Sequence, residues 1–280
     1  MERKRHRPRS PLVHPPRRLV PAVDRAVRVL RTLAGAELRL TDIATALGLP
    51  KSTTLAILQT LAAHALVTYD DGARRYALGP ALVALAGAAQ ARNTVARAAR
   101  PYLERLAEQT GETVILHVPD DGGSVILDRE ESPHQLRVTA PLGLRLPPFA
   151  GAVSKALLAW QPEKEVRRRL GARPLPAFTS RSITTPAAYM RELRRVRRQG
   201  VARDDEEYLS GVRAVSAPIR ASGRAVATIS VVGVKARFTR ARMRRAAELV
   251  RRAGEQISWA LAGGSPATDV ALPGGGCAGG

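Results

Sequence analysis

Apolar residues in the first third of the chain recur at helical spacing and are interrupted by glycine and proline. The apolar positions between residues 23 and 33 share one helical face and predict a first helix that ends near Gly35. A second helix, with Thr41 placed as its N-cap, runs into Gly48, and Pro50 suits the first turn of a third helix. A glycine turn between two short amphipathic helices predicts a helix-turn-helix.

Two short strand-like runs follow the third helix. Residues 67–69 and 75–78 flank Asp71-Gly72, a dipeptide that suits the turn of a β-hairpin. Three helices followed by a hairpin predict a winged helix-turn-helix over residues 20–79. Residues 80–95 are rich in Ala and Leu and too apolar for a free helix surface, so they predict a linker helix that meets a partner helix.

Residues 96–262 alternate between helical and strand periodicities. The segment PYLERLAEQT predicts a helix that stops at Gly111. Further helices are predicted at 153–158, at 186–199 behind the N-cap Thr185, and at 239–261. β-Branched runs predict a mostly antiparallel sheet with strands at 113–118, 124–128, 136–139, 214–219 and 225–232. The fold class is therefore α+β, and the second domain is an antiparallel sheet flanked by helices.

Lysine and arginine greatly outnumber the acidic residues, which gives a formal net charge of +21 and a pI near 11.5. This excess favours a polyanionic partner, and nucleic acid over a membrane. Arginine is abundant along the whole chain, so a general compositional bias would produce the same excess. Residues 1–19 are basic and interrupted by proline, and residues 263–280 are rich in glycine and proline, so we predict a disordered arm and a disordered tail.

Several functional classes are disfavoured by what the sequence lacks. The only cysteine, Cys277, lies in the glycine-rich tail, so neither a disulfide nor a thiolate metal site is expected. No apolar run reaches the roughly 18 residues of a membrane span, so we expect a cytoplasmic protein with no membrane partner. The five histidines are scattered, and no HExxH, Walker A or GxSxG motif is present. We therefore expect no catalytic residue, metal or cofactor.

The start of the third helix carries the candidate DNA chemistry. It offers a cation and three hydroxyl groups where free backbone amides and the helix dipole also favour an anion. The hairpin that follows adds two arginines. The candidate DNA-binding residues are Lys51, Ser52, Thr53, Thr54, Arg74 and Arg75.

Four segments in this order carry a resemblance to a known family: LGLPKSTTLAILQTL, RRYALGPALVALA, LRLPPFAGAVSKALLA and GVARDDEEYLSGVRAVSAPI. Over roughly residues 20–262 the chain resembles the IclR family of bacterial transcription regulators. The resemblance implies a winged helix-turn-helix, a linker helix used in dimerisation, and an effector domain related to GAF and PAS folds. It also implies an operator DNA partner, a small and often carboxylate-bearing effector, and assembly as a homodimer or a dimer of dimers.

The resemblance also implies an effector pocket in the second domain. Small residues would leave room for the ligand, and Asp204 and Ser230 would supply polar groups. Lys155 could attract a carboxylate, but a lysine on a helix surface is the commoner outcome. Ala214 stands where many members have cysteine, and Ser154 where a glycine is usual. The implied pocket residues are Leu146, Ala152, Val153, Asp204, Ala214 and Ser230.

Two alternatives to a ligand-responsive regulator are considered. One is an enzyme that processes a small acid, with Asp204 and Glu207 as acid and base, although the run DDEE is more simply a charged loop. The other is a basic protein that binds nucleic acid without sequence preference, which predicts salt-sensitive affinity and little discrimination between DNA sequences.

Overall fold

The computed structural model of the protein describes residues 19–120 and 122–263, which divide into two compact units after Arg92. The sequence-based predictions for residues 1–18, for residues 264–280 and for Cys277 lie outside the described residues. No helix within the described ranges is both long enough and apolar enough to cross a bilayer.

The N-terminal unit is a winged helix-turn-helix, as the sequence predicts. Its elements are α1 Pro21–Leu33, α2 Leu40–Leu47, α3 Lys51–Ala63, β1 Val67–Asp70, β2 Arg75–Leu78 and α4 Ala81–Arg92. The completely buried side chains of Val29, Ile43 and Leu58 bring the first three helices together. β1 and β2 pair antiparallel and form the wing. Leu38, two residues before α2, forms a single antiparallel bridge with Tyr76 of β2 and so joins the wing to the segment that leads into α2.

The turn between α2 and α3 depends on Gly48, whose φ of 63° is in the left-handed region. The amide of Leu49 donates to the carbonyl of Ala44 at 3.0 Å and closes the end of α2. Two sequence-based details are wrong. Thr41 lies inside α2, and the carboxylate of Asp42 accepts from the Arg39 amide instead, at 3.3 Å. Pro50 precedes α3, whose first residue is Lys51.

The C-terminal unit contains one six-stranded antiparallel sheet with the order β5-β4-β3-β8-β7-β6. Its helices are α5 Thr94–Thr110, α6 Gly151–Leu158, α7 Glu163–Leu170, α8 Pro186–Gln199 and α9 Arg240–Leu261. Its strands are β3 Thr113–Asp120, β4 Gly123–Glu130, β5 Arg145–Leu146, β6 Ala202–Asp205, β7 Val212–Ala221 and β8 Arg224–Val234. The predicted α+β architecture is confirmed.

The two faces of this sheet have different roles, because side chains alternate along a strand. On β3, Val114 and Leu116 face α5 and α9 and belong to the larger hydrophobic core. Ile115 and His117 face the other side, where α6 covers the sheet and a cavity remains. The second core, formed by α6, α7 and α8, closes this side.

Three sequence-based predictions in this unit need correction. Residues 136–139 form no strand, and the carbonyl of Val138 accepts from the Thr113 hydroxyl at 2.7 Å, outside any strand ladder. The short edge strands β5 and β6 were not predicted. α5 begins well before PYLERLAEQT, because the Asn93 side chain caps it by accepting from the amides of Val95 and Ala96.

Candidate functional site

The exposed end of α3 is the first candidate site. Lys51 and Ser52 are exposed, and Thr53 is half-buried. They lie in the first turn, where the amides have no partner within the helix and the dipole is positive. This part of the predicted surface can meet phosphates and base edges.

The prediction for Thr54 is wrong. Its side chain is completely buried, and its hydroxyl donates to the carbonyl of Pro50 at 3.0 Å. It lies on the same helical face as Leu58 and Leu61, one and two turns further on. Thr54 therefore fixes the start of α3 against the core and is not available to DNA.

The same helical geometry identifies outward residues that sequence reasoning missed. Ala56, Gln59 and Thr60 are exposed and lie opposite the buried face of α3. The Thr60 hydroxyl donates to the Ala56 carbonyl at 2.8 Å, whereas the exposed side-chain amide of Gln59 has no hydrogen-bond partner among the described residues. A helical wheel at about 100° per residue would have found Gln59, because it points about 130° away from the mean direction of the buried residues Thr54, Leu58 and Leu61.

The two wing arginines differ in their surroundings. Arg74 is exposed at the hairpin turn, with a φ of 53°. Arg75 pairs with Asp70 in the strand ladder, and its Nη1 donates to the Glu37 carbonyl at 3.0 Å. Arg75 therefore supports the wing, and Arg74 is the wing residue best placed to reach a phosphate.

A cavity of about 150 Å³ in the C-terminal unit is the second candidate site. It lies between the α6-facing side of the sheet and the residues that follow β6, and most of its lining is apolar. The predicted residues that line it are Leu146, Ala152, Val153, Asp204 and Ala214. Ser230 is not among the lining residues: it is completely buried, and its hydroxyl shares a 2.6 Å hydrogen bond with Ser216.

Asp204 supplies a carboxyl group to the cavity from β6. Its Oδ1 accepts from the Glu207 amide at 2.6 Å. A Cβ at Gly151 would collide with Oδ2, and Gly151 has a φ of 47°, so only glycine permits this approach. Burial, together with the neighbouring charge of Glu207, raises the pKa of Asp204 to about 6.

The first turn of α6 borders the same cavity. Ala150, Gly151, Ala152 and Val153 all line it. First-turn amides lack intrahelical partners, and the helix dipole adds positive potential there. None of the described residues that line the cavity is a lysine or an arginine, so these amides are its main source of positive charge.

Lys155, one turn further along α6, is not the surface lysine that the sequence suggested. Its side chain is completely buried, and its Nζ donates to both carboxylate oxygens of Glu207 at 2.7 Å and to the carbonyl of Arg203. Glu192 Oε1 lies 3.7 Å away. Lys155 therefore ties α6 to β6 and to α8 behind the cavity and does not face a ligand.

Two further lining residues, His117 and Tyr208, were not singled out from the sequence. His117 was one of five histidines without metal-ligand spacing, and only strand pairing brings it to the cavity. Within the described residues there is no cluster of three or more His, Cys, Asp or Glu side chains that could hold a metal ion.

Comparison with known proteins gives one family for both units. Residues 22–71 match the IclR helix-turn-helix domain, and residues 87–259 match the bacterial transcriptional regulator IclR C-terminal domain. The chain is 34% identical over 243 residues to the HTH-type transcriptional regulator BhcR of Paracoccus denitrificans, covering 86% of this chain and 87% of that protein.

Two more relatives agree. The chain is 31% identical over 250 residues to the transcriptional repressor IclR of Escherichia coli, covering 87% of this chain and 91% of the relative. The crystal structure of an IclR transcriptional regulator from Alicyclobacillus acidocaldarius superposes with a TM-score of 0.79 at 31% identity. That comparison covers 86% of this chain and 98% of the other.

Proposed function

The chain belongs to the IclR family of bacterial transcriptional regulators, and from that membership we propose that its first site binds DNA and its second site binds an effector. The exposed start of α3 enters the major groove of an operator, with Arg74 on the flanking backbone. A small carboxylic acid fills the cavity of the C-terminal unit and changes operator affinity. Such coupling is typically about 1–3 kcal/mol, and it is reciprocal, so DNA changes effector affinity by the same factor.

The chemistry of the cavity carries the proposal of a carboxylic acid. An anionic group fits at the first turn of α6, where Gly151, Ala152 and Val153 present their amides. Asp204, whose pKa burial raises to about 6, takes up a proton readily and then donates a hydrogen bond to the bound carboxylate. The apolar remainder of the wall suits a hydrocarbon body.

The enzyme alternative requires Asp204 and Glu207 to act as an acid and base pair. Glu207 is held in an ion pair with the buried Lys155, and its amide donates to Asp204. The described lining contains one further base, His117, but it is four residues along β3 from the strand row of Asp204 and does not form an acid and base pair with it. The relatives above are all named as transcriptional regulators, which also favours regulation over catalysis.

Substitution of Gln59 and Lys51 separates base recognition from phosphate contact. Gln59→Ala is expected to lower discrimination between the operator and random DNA by about 1–3 kcal/mol, because an exposed glutamine amide can pair with an adenine edge. Lys51→Ala is expected to weaken binding to both DNAs equally and to reduce the salt slope by about one. The measurement is titration of the full-length protein on both duplexes at several salt concentrations.

The operator for this titration comes from footprinting the protein on DNA upstream of its own gene. A scrambled duplex of equal length and composition serves as the non-cognate DNA. Equal loss on both duplexes in Gln59→Ala would remove Gln59 from base recognition. Equal affinity of the unaltered protein for both duplexes would favour the alternative of a binder without sequence preference.

Effector affinity should depend on pH through Asp204. If protonated Asp204 donates to the carboxylate, affinity is constant below about pH 6, where Asp204 is already protonated. Above that pH, affinity falls by about tenfold per pH unit, because binding then requires proton uptake. Calorimetric titration with pyruvate and benzoate between about pH 5 and about pH 8 measures this slope.

Asp204→Asn is the matched variant for this test. Asparagine has similar shape, donates a hydrogen bond and does not titrate, so its affinity for either acid should be independent of pH. A slope that is flat in the unaltered protein, or a slope that survives in Asp204→Asn, would contradict a hydrogen bond between Asp204 and the effector.

We also propose that α4 is a dimer contact. It is a helix of 12 residues whose only charged residue is Arg92, and its Val83 and Leu85 side chains are 75% and 59% exposed. A helix of this composition requires an apolar partner, and a second copy of the chain supplies an identical one. Two recognition helices then meet half-sites that lie about one turn of DNA, roughly 34–36 Å, or a multiple of it apart.

A further inference from the structure

His117 is a buried histidine with no hydrogen-bond partner. It lies on β3 in the wall of the effector cavity and is 2% exposed. Neither Nδ1 nor Nε2 meets a donor or acceptor within the described residues. Buried polar groups in native proteins are nearly always paired, so this ring calls for a partner that is not part of the chain.

Two hydroxyl groups in neighbouring strands share this condition. Thr228, on β8, is the register partner of His117, and Ser124, on β4, lies two residues from Ile126, the register partner on the other side. The hydroxyls of Thr228 and Ser124 are buried and likewise unpaired. Strand pairing thus collects three unsatisfied polar side chains in one region of the sheet.

This polar region lies away from the proposed carboxylate site. Asp204 shares a row across the sheet with Ala214, Val232 and Thr113. His117 is four residues further along β3 than Thr113, which corresponds to about 13 Å along the strands. Asp204 and His117 therefore mark opposite ends of a mostly apolar cavity that both of them line.

We propose that His117 binds a hydroxyl group of the effector, so that the effector is a small hydroxy-substituted monocarboxylic acid. This inference rests on the proposed function, because it takes the carboxylate to lie at the first turn of α6. Thr228 and Ser124 are not among the described lining residues of the cavity, so they complete the hydrogen bonding around His117 and the hydroxyl through ordered water. An apolar body, the size of one six-membered ring or a short chain, connects the two ends.

The charge state of the ring selects a hydroxyl over a second carboxylate. Burial lowers the pKa of His117 to about 3, so the imidazole is neutral at physiological pH. The ring nitrogen of a neutral imidazole that faces the cavity is either a donor or an acceptor, and a hydroxyl group can pair with it in either case. A carboxylate would meet no cation there, because no lysine or arginine belongs to the described lining.

Four ring-sized acids test the inference: benzoate, 3-hydroxybenzoate, 4-hydroxybenzoate and the dicarboxylate terephthalate. A cavity of about this volume accepts a single benzene ring. We expect the better-fitting hydroxybenzoate to bind the full-length protein about tenfold more tightly than benzoate, and terephthalate to bind most weakly. Isothermal titration calorimetry measures the four affinities at one pH.

His117→Phe should abolish the hydroxyl preference and leave benzoate affinity unchanged or improved, because phenylalanine fills the space without polar atoms. Thr228→Val keeps the side-chain shape and removes one hydroxyl, so it should reduce the preference about threefold. If His117→Phe does not fold, the reduced hydroxyl preference of Thr228→Val is the test of the proposal. His134→Phe, an exposed histidine of the same unit, is the control and should change nothing.

The outcomes separate this inference from the function on which it rests. Benzoate binding with no preference for either hydroxybenzoate overturns the role of His117 and keeps the carboxylate site. A preference that persists in His117→Phe and in Thr228→Val also overturns it. Failure of all four acids to bind the unaltered protein overturns both the carboxylate site and the hydroxyl contact.

Discussion

Replacing Lys155 by methionine is expected to lower the free energy of unfolding of the C-terminal unit by about 3–5 kcal/mol. The Lys155 ammonium is completely buried and satisfies both oxygens of Glu207, with Glu192 close by. Methionine fills similar volume but leaves the Glu207 carboxylate without its cation in a poorly hydrated region, whereas Glu192 keeps its ion pair with Arg195. Breaking one half of a buried ion pair is far more costly than losing a surface pair.

Tryptophan fluorescence during urea unfolding of the full-length protein measures this change. Both tryptophans of the chain, Trp160 and Trp259, lie in the C-terminal unit, so the signal reports that unit alone. Lys164→Met, an exposed lysine on α7, is the control and should shift stability by less than about 0.5 kcal/mol. An effect of Lys155→Met as small as that of the control would contradict the buried ion pair.

The pair can be tested further by removing the second charge. Lys155→Met combined with Glu207→Gln should recover part of the lost stability, because the unpaired carboxylate is then gone. Strict additivity of the two single effects would mean that the two side chains do not interact. The first turn of α6 lines the cavity, and Lys155 lies one turn further along the same helix. Effector affinity of the double variant therefore measures whether the position of α6 depends on the ion pair between Lys155 and Glu207.

The helix-turn-helix could be predicted from sequence because it depends on local patterns. The helical spacing before Gly35, the left-handed residue Gly48 and the Asp71-Gly72 hairpin turn each act within a few residues. Local patterns do not predict the burial of Thr54, because the first turn of α3 is not one uniformly exposed surface. In a helix, adjacent residues point in different directions, and the direction of Thr54 is set by Leu58 and Leu61.

The effector cavity depends on contacts between distant segments, and the sequence predicted it only through family resemblance. Burial of Lys155 requires Glu207 and Glu192 from two other elements. The place of His117 requires the pairing of β3 with β4 and β8. No periodicity within one strand or helix contains that information, so Lys155 was expected at the surface and His117 was passed over.

The net charge of +21 is weak evidence for a nucleic-acid partner. Several arginines of the C-terminal unit are used within it: the carboxylate of Asp205 accepts from Arg181, Arg213 and Arg240. Against the effect of burial, hydrogen bonds from Arg213 and Arg240 lower the pKa of Asp205 to about 2. The exposed donors on α3 and the wing therefore indicate DNA binding more strongly than the net charge of +21 does.

The largest change in operator binding is expected when α4 can no longer meet its partner. Introducing Val83→Asp together with Leu85→Asp places two negative charges on exposed apolar positions of α4. Burying them against a second copy would cost far more than an apolar contact gains. The protein should then become monomeric, and operator affinity should fall by about 10²–10⁴-fold, because each DNA-binding unit loses the effective concentration that its partner provides.

Light scattering after size-exclusion chromatography and operator titration measure the two effects on the same sample. Leu136→Asp with Leu142→Asp changes the net charge by the same amount at exposed positions of the C-terminal unit, so it controls for repulsion between the protein and DNA. If the α4 variant remains dimeric, α4 is not the main dimer contact. If it is monomeric and keeps full operator affinity, one recognition helix is sufficient, and paired half-sites are not required for binding.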